Sequence, residues 1–87
     1  MTPRTQNKPP EFSSKAAKVI EAMDRKTQDR IHEGILHIPK GNIQPMQGSG
    51  GLLRLRIGKW RAIFRWIDDG QIFVQKVSTR GGAYKGE

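Results

Sequence analysis

Arg54, Arg56, Arg61 and Arg65 lie within one short run, LLRLRIGKWRAIFRW (residues 52–66), each set between apolar neighbours. A guanidinium is a planar fork of donors that matches the oxygens of a phosphate two at a time. It keeps its proton throughout the physiological range, so it is suited to stabilising negative charge and unsuited to accepting a proton. The chemistry on offer is therefore the holding of a polyanion, a polyvalent phosphate above all.

What these arginines do depends on whether they share a face. In LLRLRI, Leu53, Leu55 and Ile57 alternate with Arg54 and Arg56, the period of a strand with one buried side. In WRAIFRWI the uncharged set Trp60, Ala62, Phe64 and Trp66 belongs against the core, which sends Arg61 and Arg65 the other way. The two runs are separated by Gly58-Lys59, a two-residue hairpin turn candidate, so all four arginines are expected on one open sheet face. A sheet face that is merely solvated usually mixes both signs, and no acidic residue interrupts this stretch from Arg54 to Arg65. Clustered like charges repel one another, which favours an anionic partner, with a polyvalent phosphate the best chemical match.

The elements that would carry this face can be read on either side of it. Ser13 or Ser14 is a plausible cap for a helix over KAAKVIEAMD, and Thr27 or Asp24 for a second over QDRIHEGILHI. Ala16, Ile20 and Met23, then Ile31, Ile35 and Ile38, recur at helical spacing. Gly34 lies inside the second helix at a cost of about 1 kcal/mol relative to alanine. KGNIQPMQGSGG reads as a turn-rich connector anchored by Ile43 and Met46. After the arginine-bearing strands, Asp68-Asp69-Gly70 signals a second hairpin turn. In the last strand, QIFVQKVST, the reading places Phe73 and Val77 inward and Ile72, Val74 and Lys76 outward, with room for a bulge near its end. Residues 1–10, with three prolines, read as a flexible arm, and residues 11–87 as a single domain. The expected fold is α+β: a short N-terminal strand, a two-helix hairpin, then a three-stranded antiparallel meander with the helices on one face. Pro9 and Pro10 cannot donate to a ladder, so the first strand is short, at an edge, or displaced to Glu11–Ser13.

Composition narrows the partners. The chain has 87 residues and a net charge of +8, with a sequence pI near 10.5. Residues 52–87 carry eight positive residues against Asp68, Asp69 and Glu87, whereas residues 1–51 carry eight against five acids. This bias points to nucleic acid, an acidic protein or an anionic surface. With no cysteine, a disulfide framework and a cysteine-based zinc site are excluded. His32 and His37, five apart on a helix, lie on different sides of it, so neither metal nor cofactor is expected. No apolar run approaches membrane-spanning length, and a cytoplasmic protein without membrane association is the expectation.

The order of elements, KTQDRI at the second helix, the NIQPMQG connector and above all LLRLRIGKWRAIF resemble the RelE/ParE superfamily of bacterial type II toxins. The likeness runs from about Glu11 to Lys85. It implies a metal-independent mRNA endoribonuclease acting in the ribosomal decoding site, by attack of an RNA 2′-oxygen on the adjacent phosphate. It also implies a cognate RelB-like antitoxin as partner. The RelE pattern of two basic residues on one strand, an arginine on the next, and an arginine and a tyrosine near the C-terminus falls on Arg54, Arg56, Arg61, Arg80 and Tyr84 as catalytic residues. Lys59, Arg65, Lys76 and Lys85 are then expected as RNA-backbone contacts. RelE proteins often have lysine where this chain has Arg54 and Arg56. The competing readings are a ParE-like inhibitor of DNA gyrase and a basic nucleic-acid-binding module without catalysis.

Overall fold

The computed structural model describes residues 5–46, 48 and 50–79. Strand β1 (Glu11–Phe12) leads into helices α1 (Ser14–Glu21) and α2 (Arg25–Leu36), followed by strands β2 (Asn42–Pro45), β3 (Leu53–Ile57), β4 (Trp60–Trp66) and β5 (Ile72–Thr79). The strands form one sheet in the order β1-β5-β4-β3-β2, antiparallel throughout except that β1 runs parallel to β5. The α+β fold is the expected one, and β1 is both short and at an edge, as Pro9 and Pro10 require. The sheet has one strand more than the meander expected from sequence. Asn42–Pro45, taken for a connector, pairs along β3 at the opposite edge. Pro45 is tolerated there because an outer strand has one side with no ladder to supply.

Both helices start where a polar cap stops the preceding chain. The Ser13 hydroxyl accepts from the Ala16 N–H at 3.1 Å, and the Asp24 carboxylate accepts from the Thr27 hydroxyl at 2.6 Å and from its N–H. The helical stripes then deliver Ala16, Ile20, Ile31 and Ile35 to one side of the sheet, where they are buried with Ile38, Leu55, Ala62, Phe64, Ile72, Val74 and Val77. Gly34 has a tertiary reason to be in α2. A Cβ built there would lie 2.7 Å from the Ile57 side chain, so the missing methyl lets the helix settle onto β3.

The inward face of β5 differs from the sequence expectation. Ile72 and Val74 are fully buried, and Phe73 between them turns to the open face. The pairing of β4 with β5 jumps between Ile63/Lys76 and Phe64/Val74, leaving Gln75 as the extra residue of a bulge. That one residue resets the phase so that Val77 also points inward. The segment before β1 is tied at two places: the N–H groups of Asn7 and Lys8 both donate to Gly70 O in the β4–β5 turn, and the Gln6 side-chain amide donates to Ile35 O and Ile38 O at the end of α2.

Candidate functional site

The strands β3 and β4 are joined by Gly58-Lys59, with Gly58 at φ 58° in the left-handed region that a two-residue turn asks of glycine. That turn fixes the register, and the register fixes the site. Arg56 stands directly opposite Arg61, and Arg54 opposite Ile63. Strand β2 extends these rows, with Asn42 opposite Arg56 and Gln44 opposite Arg54. Strand β5 extends them on the other side, with Ser78 opposite Arg61 and Lys76 opposite Ile63. One row across the open face therefore reads Asn42, Arg56, Arg61, Ser78, and the next reads Gln44, Arg54, Ile63, Lys76.

Like charges directly opposite on a sheet are destabilising, with Cβ atoms about 4.5–5.5 Å apart. Among the described residues no carboxylate pairs with Arg54, Arg56 or Arg61; the two ion pairs are Lys8 with Asp68 and Arg25 with Asp29. Among the described residues, then, no carboxylate offsets the facing charges of Arg56 and Arg61. Arg54 is steadied instead by a neutral partner, its Nη2 donating to Gln44 Oε1 at 2.9 Å. Asn42, Gln44, Arg54 and Arg56 enclose a small polar cleft of about 40 Å³ at this edge.

The remaining expected residues are distributed more widely. Arg65 is exposed on the same face, its guanidinium carbon 5.6 Å from the Phe73 ring centroid. Lys59, at the hairpin tip, does not join the arginines; it borders a separate hollow of about 420 Å³ with Val19, Ala22, Met23, Asp24, Thr27 and Trp60. Arg80, Tyr84 and Lys85 lie outside the described residues. Sequence reasoning missed Asn42, Gln44, Ser78 and Phe73 as members of this face. The first two had a signal, since Asn42-Ile43-Gln44 alternates polar and apolar around an inward Ile43, but the surrounding proline and glycines masked it.

This sheet, with its two capped helices on one side and its arginines on the other, has solved counterparts. A chain of the RelB–RelE antitoxin–toxin complex from Methanococcus jannaschii superposes with a TM-score of 0.70 at 21% identity, covering 85% of this chain and 94% of that one. The chain has the RelE fold. A chain of the toxin–antitoxin complex RelBE2 from Mycobacterium tuberculosis agrees, with a TM-score of 0.66 at 19% identity, over 91% of this chain and 100% of that one. At these identities the superpositions establish the RelE fold. In sequence, the protein described as "Putative toxin RelE1" of Methanocaldococcus jannaschii is 44% identical over 48 residues. The alignment spans 53% of this chain and 52% of that protein, about half of each. No protein-family profile matches the chain. Among the described residues no helix is long and apolar enough to cross a membrane.

Proposed function

We propose that this RelE-like chain is the toxin of a type II toxin–antitoxin system, and that it cleaves mRNA in the ribosomal decoding site. The observation that carries the reading is the register of β3 and β4, which sets Arg56 opposite Arg61 with Arg54 one row away and no acid among them. In this scheme the RNA 2′-oxygen attacks the adjacent phosphorus, the bond to the 5′-oxygen breaks, and a 2′,3′-cyclic phosphate and a 5′-hydroxyl remain. The 2′-hydroxyl loses its proton and the departing 5′-oxygen gains one. Arg61 and Arg80 neutralise the extra charge of the pentacoordinate phosphorane, donors of a kind that contribute about 3–4 kcal/mol each. Arg54 and Arg56 hold the flanking phosphates, and Tyr84 stacks on a base or joins the proton network. Arg65, Lys76 and Lys85 add backbone contacts that weaken with salt, while Lys59, turned to the helix side of the hairpin tip, is left out of the site.

Arginine is a poor general base because it holds its proton. An active site dominated by Arg54, Arg56 and Arg61 therefore accelerates the reaction mainly by charge stabilisation and positioning. That explains a dependence on the ribosome, which would present the mRNA already bent. The partner is a RelB-like antitoxin whose acidic or amphipathic segment neutralises the basic face. Support for the antitoxin comes from the two structural counterparts, both solved as antitoxin–toxin complexes.

The test is to induce the protein without an antitoxin and map 5′ ends on a translated message. Cuts in register with codons, absent from untranslated RNA and abolished by Arg61→Ala, are the expected result. Growth arrest with intact messages would sink the proposal, and DNA-damage signalling beside it would favour inhibition of gyrase.

A further inference from the structure

The bulge in β5 puts one aromatic ring on the charged side of the sheet. Phe73 lies between the fully buried Ile72 and Val74, so its own side chain is half-buried on the open face. The bulge is held in place: the Ser13 N–H donates to Val74 O at 2.9 Å, and the Ser13 hydroxyl donates to Gln75 O at 2.7 Å. Phe73 is the direct partner of Arg65 on β4, whose guanidinium carbon lies 5.6 Å from the ring centroid.

An aromatic ring next to a strip of positive charge is how proteins hold single-stranded nucleic acid, the backbone following the charge while a base stacks on the ring. Arg61 is four residues from Arg65 on the same face of β4, about 13 Å at the ordinary rise of a strand. That distance is a few nucleotides of extended RNA. On the other side of Phe73 its partner on β1 is Glu11, which closes the basic strip. A carboxylate there repels a phosphate and leaves the ring to an uncharged base. Arg65 is exposed, so its guanidinium can swing from the ring to the adjoining phosphate as a base arrives.

We infer that Phe73, with Arg65 beside it, is a base-stacking subsite for single-stranded RNA, a few nucleotides along the strand from a phosphate held at the Arg56–Arg61 pair. The inference rests on the open face being the RNA-binding face. The subsite selects for a stacked base and against an empty position, without reading the base's identity, because every base offers a π-face.

The test uses the full chain and short oligouridines, each carrying one abasic ribose at a successive position, titrated at low salt where phosphate contacts are strong. The wild type should bind about tenfold more weakly when the abasic ribose falls at one particular position, and little differently at the others. Phe73→Leu, which keeps an apolar side chain and removes the π-face, should bind the intact oligomer about tenfold more weakly and lose the position dependence. Phe73→Trp should retain both affinity and position dependence. Arg61→Ala should weaken all oligomers alike. The subsite is overturned if Phe73→Leu keeps the wild-type position dependence, or binds like wild type while Arg61→Ala does not. If Arg61→Ala and Arg56→Ala also bind like wild type, the RNA reading of the whole face fails, and the subsite with it.

Discussion

The two faces of the β3–β4 hairpin are built from the same fifteen-residue run and do opposite things. On the inner face Leu55, Ala62 and Phe64 are at most 2% exposed and belong to one core cluster with residues of α1, α2 and β5. On the outer face Arg54, Arg56, Arg61 and Arg65 are intermediate or exposed, and what they share is charge. The inner residues are fixed by what the fold itself must bury. The outer ones add repulsion that the fold alone has no use for. Under the proposed function, stability and RNA handling fall to alternate residues of one backbone, and substitutions on the two faces should separate cleanly.

The largest effect is expected from Phe64→Ala on the inner face. Phe64 is fully buried at the centre of the sheet, and truncations of this kind cost about 3–5 kcal/mol through lost burial and the cavity left behind. In a domain of this size much of the total stability goes with it. Urea denaturation should show a midpoint far below wild type, or a protein that is unfolded without denaturant. A midpoint near wild type would mean the inner face is not the source of stability.

Arg61→Ala, one strand step away from Ala62, should do the converse. Its denaturation midpoint should stay close to wild type, or rise as the Arg56–Arg61 repulsion disappears. Cleavage of translated mRNA should fall by roughly a hundredfold to a thousandfold, the usual loss when one preorganised charge-stabilising donor is removed. An Arg61→Ala protein that loses stability and keeps activity would break the division between the faces.

Gly34→Ala sharpens the comparison from the helix side. On propensity alone alanine should stabilise α2 by about 1 kcal/mol. A Cβ at this position would meet Ile57 at 2.7 Å, however, and overpacking of a settled contact costs about 1–3 kcal/mol. The expected net result is a modest loss of stability, which Gly34→Ala combined with Ile57→Val should partly restore. A gain in the single variant would show that α2 can lift off β3 without penalty.

These faces were legible in the sequence to different degrees, for physical reasons. Leu53 to Trp66 could be assigned residue by residue because a hairpin of ordinary strands has a period of two and a two-residue turn locks the pairing. The caps were narrowed to Ser13 or Ser14 and to Asp24 or Thr27, because a short polar side chain just before an apolar helical stripe has few other uses, and the fold uses Ser13 and Asp24. The phase of β5 was not readable: Ile72, Phe73 and Val74 are all apolar, so neither face is marked, and the bulge at Gln75 is decided by pairing with β4 and by Ser13. Strand β2 was hidden because Pro45 and the following glycines carry turn signals, and its pairing partner alone makes Asn42–Pro45 a strand. For the open face this meant that Arg54, Arg56 and Arg61 were placed on it from sequence, and their neighbours Asn42, Gln44, Ser78 and Phe73 were not. Charge is visible in one dimension; the neutral residues beside it become visible only through the sheet.

The smallest effect concerns Asp68, away from both faces of the β3–β4 hairpin. Asp68 lies in the β4–β5 turn, where Lys8 Nζ approaches its carboxylate to 2.8 Å and the Gly70 N–H donates to it at 2.8 Å. The Lys8 hydrogen bond first, and the Gly70 N–H second, hold the Asp68 carboxyl below the usual carboxylate range, and Asp68 in turn raises Lys8. Because the folded-state value of Asp68 is depressed, its contribution to stability is complete above about pH 4, the ordinary carboxylate range, and is lost as the pH falls through the lower folded value. The raised Lys8 contributes below its ordinary value near 10.4 and loses that contribution at still higher pH. Both partners are well exposed, and exposed pairs contribute little, so the amplitude should be small. Thermal unfolding followed from pH 6 to pH 2 should show a shallower acid slope in Asp68→Asn than in wild type, with the two curves converging at the acid end. Parallel curves would show that the tether between residues 7–9 and the β4–β5 turn rests on the backbone bonds to Gly70 and on the Gln71 side-chain amide donating to Pro9 O, and not on the Lys8–Asp68 charge pair.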